Sequence, residues 1–151
     1  MHTKKEHLDK FNAGVNRRSM IRYLTIIVDF SAASLKQEMR PNRATCTKEI
    51  LRDFLLGFKD QNPLSKVSMI VTCRQKAIVL GDFEKSVEQV MAALQTYDDF
   101  EGMPSMQQAL EFARIQVDKC VPDYALKEVL IINSSITICD PGDIRETLAT
   151  L

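Results

Sequence analysis

The stretch IVDFSAAS, residues 27–34, sets an aspartate and hydroxyls at close spacing just where an apolar run ends. A carboxylate and hydroxyls at a strand end are the oxygen ligands a hard cation such as Mg²⁺ prefers. The pattern is incomplete, however. Asp29 and Ser31 are in step, Ala33 takes the third place, and the next hydroxyl arrives one residue late at Ser34. Other chemistries find less support. There is no glycine-rich turn after this segment and no GK[ST] anywhere, so backbone amides have no way to cradle a nucleotide phosphate. The only histidines are His2 and His7, which leaves a serine or cysteine nucleophile without a base. The acid pair Asp98–Asp99 reads as solvated loop. The residues assemble no active site, and the expectation is a protein that is not an enzyme.

The elements that must hold these residues follow from periodicity. YLTIIVDF is a short β-branched run suited to a strand covered on both faces. From Asn42 to Phe58 the set Cys46, Ile50, Leu51, Phe54, Leu55 and Phe58 recurs at helical steps, and DQNP stops that helix. KVSMIVTC is a second strand, and AIVL follows too closely for a crossover, so it must return antiparallel. Helices are expected over 83–97, with Phe83 inward, and from Pro104 or Ser105 onward. KEVLIINS is a third buried strand, and DPGDIRETLATL a last helix with Asp140 as N-cap and Pro141 in its first position. Helices alternating with buried strands predict an α/β, mainly parallel sheet with one antiparallel edge strand and helices on both faces. Ligand sites in such sheets lie beyond the strand C-termini, where 29–34 and 133–140 fall.

With 151 residues the chain fits one domain, and zero net charge gives no global pull toward nucleic acid or membrane. Residues 1–20 are polar, without the apolar core of a signal peptide, and are expected to form a flexible extension; 21–151 form the domain. Four dispersed cysteines with no C-x-x-C pair read as reduced thiols.

The element order and D-x-S-x-A after the first strand resemble the von Willebrand factor A domain, a Rossmann-like three-layer sandwich. Metal-binding members use D-x-S-x-S, a threonine in a later loop and an aspartate after the fourth strand. At the matching places this chain has Ala33, Pro104 and Ser134. The resemblance therefore implies a degenerate site at Asp29, Ser31 and Ser134 that holds no metal, and no cofactor. RPNR, DQNPLS, GMPSMQQALEFA, EVLIINSSIT and CDPGDI bring residues 20–151 close to the von Willebrand A domain of a transcription factor IIH core subunit. That family implies a non-catalytic nuclear protein which docks on the XPD helicase and stimulates it in transcription by RNA polymerase II and in nucleotide excision repair. By position, the helicase would meet Ser135, Ile136, Thr137, Cys139 and Asp140. From the residues alone, Arg40 and Arg43 of RPNR read either as a second contact, since arginine is frequent in interfaces, or as a proline turn whose arginines reach nearby carbonyls or acids. Direct contact with nucleic acid or membrane is not expected. From the residues alone, Ile136 is as readily packed under its own loop as exposed as an anchor, and Asp140 reads as the cap of the last helix. Family members continue through further strands to a zinc module. The expectation is thus a C-terminally truncated domain, without zinc ligands, whose strand at 129–132 is an uncovered edge. A related alternative is the von Willebrand A subunit of the proteasome regulatory particle, against which DQNP and CDPGD speak. An extracellular adhesion domain would need the complete metal set, and a hydrolase built on Asp29 a second carboxylate.

Overall fold

The computed structural model describes residues 21–151; the polar extension expected over 1–20, with both histidines, lies outside the described residues. Four strands form one sheet: β1 (Arg22–Asp29), β2 (Lys66–Cys73), β3 (Lys76–Gly81) and β4 (Leu126–Ile132), in the order β3-β2-β1-β4. β1 runs parallel to β2 and β4, and β2 pairs antiparallel with β3. The β2–β3 connection is tight, and Arg74 and Gln75 both carry the positive φ that suits a two-residue hairpin turn.

Alternation along β1 divides the core. Leu24, Ile26 and Val28 face α1 (Arg43–Gln61) and α2 (Val87–Thr96), meeting Leu51, Leu55, Val90 and Leu94. Ile27 faces the other way, with Ile70, onto α3 (Met106–Cys120) through Met106, Ala109, Leu110 and Ala113. Helices thus cover both faces, as the expected sandwich requires. A short α4 (Ile144–Ala149) lies against α3.

Four expectations are corrected. α2 begins at Val87 and not near Phe83, because Ser86 and Gln89 form a reciprocal capping box that fixes the start. Phe83 is buried in a separate cluster with Val121 and Ala125, edge-on to Tyr23 at 5.2 Å. On α1, Ile50 and Phe54 turn out to be exposed, since Ala44, Leu51, Leu55 and Phe58 supply the inward face. The last helix starts at Ile144 with Asp143, not Asp140, as its N-cap, accepting from the Arg145 amide at 2.9 Å. β4 is also not the buried strand its composition suggests, although it takes the edge expected for 129–132. It pairs with β1 alone among the described residues, so it lies at the sheet edge and its burial alternates, leaving Lys127, Val129 and Ile131 outward. Arg22 joins it to β1 by a fork onto Glu128 at 2.7 and 3.1 Å, above the Phe58 ring.

Candidate functional site

At the C-terminal ends of β1 and β4 the chain leaves the sheet on either side of a crevice. Asp29 is the last residue of β1 and is buried. Its Oδ1 accepts the Ser31 amide at 2.8 Å, and its Oδ2 accepts the amides of Ser134 at 2.9 Å and Ser135 at 2.8 Å. One carboxylate therefore bolts the loop after β4 to the loop after β1. Ser34, the late hydroxyl, donates to the Ser31 carbonyl at 2.7 Å and so closes its own 3-10 turn, Ala32–Leu35. The hydroxyl of Ser31 is buried and makes no hydrogen bond within the described residues.

A groove of about 600 Å³ opens beside this corner, lined among others by Ser31, Lys36, Glu38, Arg43, Ser135 and Ile136. Arg43 spans it: Nη1 donates to the Ser134 carbonyl at 2.8 Å and Nη2 pairs with Glu38. That hydrogen bond, reinforced by the guanidinium charge, holds the Glu38 carboxyl below its usual range. Lys36 and Glu38 were missed in the sequence. They sit in a polar loop without periodicity, and only the fold brings them to Arg43.

The donor set does not fit Mg²⁺. Both Asp29 oxygens are turned to backbone amides, Ser134 reaches the corner through its N–H, and the groove carries two cations to one anion. Pro104 brings no side-chain oxygen; its carbonyl accepts the Cys139 amide at 2.9 Å. Among the described residues no group of three His, Cys, Asp or Glu is placed to hold a metal.

Of the residues carried over to partner binding, Ser135, Ile136 and Thr137 come together at the mouth of the groove with Arg43. Ser135 Oγ donates to the Thr137 carbonyl at 2.8 Å, and Asn133 Nδ2 donates to the Ser135 carbonyl at 2.6 Å. This tight turn drives Ile136 outward, where it is fully exposed. Ile136 does not pack under its own loop. Cys139 and Asp140 lie at the loop's far end, against the start of α3, and Asp140 caps that helix: Oδ1 accepts from Ser105 Oγ at 2.9 Å and from the Gln107 amide at 3.0 Å. Arg40 is exposed and is not part of the groove wall.

Residues 27–151 match the family model described as Ssl1-like. The chain belongs to the Ssl1-like family. Curated relatives of this Ssl1-like domain include general transcription factor IIH subunit 2 of Arabidopsis thaliana, 37% identical over 87% of this chain and 31% of the relative. The general transcription and DNA repair factor IIH subunit ssl1 of Schizosaccharomyces pombe is 30% identical over 89% of this chain and 32% of its own. The Ssl1-like domain thus spans about a third of the length of the curated relatives it matches. In structure it is similar to the SpRpn10 VWA domain, with a TM-score of 0.71 and 13% identity over 83% of this chain and 65% of that one. Proximal thread matrix protein 1 from the mussel byssus also superposes with a TM-score of 0.71, at 10% identity, over 87% of this chain and 35% of that one. At such identities the likeness shows the von Willebrand A fold and no more.

Proposed function

We propose that the Ssl1-like domain is the docking part of a transcription factor IIH core subunit, and that it binds and stimulates an XPD-type helicase without chemistry of its own. In this reading it works in the nucleus, in transcription and nucleotide excision repair; that its relatives are transcription and DNA repair factor subunits supports this. The observation that carries the reading is Ile136: a β-branched apolar side chain, fully exposed, on a loop held at both ends. A rigid apolar side chain raised from a polar loop has little to gain in water and much to gain in a partner's pocket. Ser135 and Thr137 flank it as polar contacts, and Arg43 forms the wall beside them. Cys139 and Asp140 form the base of the loop, and Arg40 would reach a partner only at the rim. The corner at Asp29, Ser31 and Ser134 takes no metal in this role, and no cofactor or direct nucleic-acid contact is needed.

The test is capture of the helicase by wild type and by Ile136→Asp. Ile136 is free of the core, so the variant should keep the wild-type melting temperature while its affinity falls at least about thirtyfold. Equal capture by both proteins, or none by the wild type, would overturn the proposal.

A further inference from the structure

We infer that Asp140 is a positioning residue, a latch that ties the loop carrying Ile136 to the N-terminus of α3; the inference rests on the docking role proposed for that loop. Asp140 is not needed where the sequence placed it, because Asp143 already caps α4. Instead it reaches back more than thirty residues to Ser105 and Gln107. The first turn of α3 contains no acid of its own, so Asp140 supplies the negative charge that its free amides and dipole favour. Ser105 is the N-cap, but its oxygen lies 3.4 Å from the Gln108 amide, a long contact that Asp140 supplements.

The neighbouring backbone is tied to the same place. The Cys139 amide donates to the Pro104 carbonyl at 2.9 Å, and the Gly142 amide to Gln107 Oε1 at 3.0 Å. α3 is in turn fixed in the core by Met106, Ala109, Leu110 and Ala113. The upstream end of the loop is held by Asp29 through the Ser134 and Ser135 amides. Only residues 136–138 lie between the two fixings, with Thr137 folded back onto Ser135 and Ile136 at their head. Two carboxylates from distant parts of the chain thereby present one apolar residue in a single posture, so its ordering cost is met before a partner arrives.

The experiment is a double-mutant cycle read by titration with the helicase, using Ile136→Ala, Asp140→Ala and the pair, with Asp140→Asn as the conservative variant. Asp140→Ala should weaken binding about tenfold, the scale of releasing a few ordered side chains. Asp140→Asn keeps an acceptor oxygen for Ser105 and Gln107 and should retain most of the affinity. In the Ile136→Ala background, Asp140→Ala should add nothing, because a latch matters only for what it holds. Additive losses would mean that Asp140 meets the partner itself, and would overturn the inference. Amide hydrogen exchange on the isolated chain supplies an independent readout. Asp140→Ala should speed exchange at Thr137 and Cys139 while β1 and α1 stay protected, and unchanged exchange there would also overturn it. If Ile136→Ala alone leaves affinity intact, the docking proposal falls, and the exchange result decides the latch by itself.

Discussion

Replacing Asp29 by alanine removes one acceptor group and strands three donors. The Ser31 amide is buried and has no alternative partner, so it bears the full cost of an unmade hydrogen bond. The Ser134 and Ser135 amides are half-buried and would recover part of theirs from water. Hydrogen bonds to a charged acceptor contribute roughly 1.5–3 kcal/mol each, so with partial rehydration the total is about 4 kcal/mol. Against a typical domain stability of about 5–15 kcal/mol that is a large fraction. Urea unfolding followed by circular dichroism measures it, with an unchanged slope showing that the unfolded state is not what moved. Asp29→Asn sharpens the test. Its amide offers one acceptor oxygen and aims an NH₂ at a second set of donors, so it should cost nearly as much as alanine despite its shape. Millimolar Mg²⁺ should leave the wild-type midpoint where it is. A loss under about 1 kcal/mol for Asp29→Ala would refute the clasp, since even one stranded amide costs that much. A midpoint raised by Mg²⁺ in wild type but not in Asp29→Ala would refute it from the other side.

Two further outcomes follow from the loop beneath the groove. Tyr97 stacks on Phe30 at 5.5 Å and its hydroxyl meets Cys73 Sγ at 2.8 Å; burial, then that hydrogen bond, raise its pKa well above the ordinary phenol value of 10.0. The folded state therefore keeps the proton after the unfolded chain has lost it. That contribution is intact below pH 10.0 and fades as pH climbs above it. Tyr97→Phe should flatten this alkaline part of the stability curve, measured as the difference between the two proteins' melting temperatures from pH 8 upward; parallel curves would contradict the assignment. Gly102 has φ +67, and a Cβ there would stand 2.9 Å from the Arg74 Cα. Gly102→Ala should thus destabilise by about 1–3 kcal/mol in the same urea assay, because both the backbone angle and the hairpin turn would have to give.

Periodicity was enough for the sheet and its helices because burial repeats along the chain. β2 follows its β-branched run, and α1 begins just after Asn42 and stops within DQNP. It failed where a choice is made by contacts far apart in sequence. Asp140 followed by Pro141 has the local pattern of a cap, yet Asp140 is taken by α3 and Asp143 caps the last helix, which no local pattern records. Phe83 carries the right spacing for a helix, yet the capping box at Ser86 stops the helix short of it. The site was half legible. Asp29 and Ser31 stood out by type, but what Asp29 binds depends on the β1–β4 pairing, and the side on which Ile136 would emerge depends on a turn made by Ser135 and Asn133.

A corner closed by a bound ion opens whenever the ion departs, and its strength rises and falls with supply. Closed by Asp29, the same corner has no ligand to lose and no chelator to fear. The domain gains from this a shape decoupled from the supply of Mg²⁺. What looks in the sequence like a broken metal site is, in the folded chain, a fastening made of the chain's own groups.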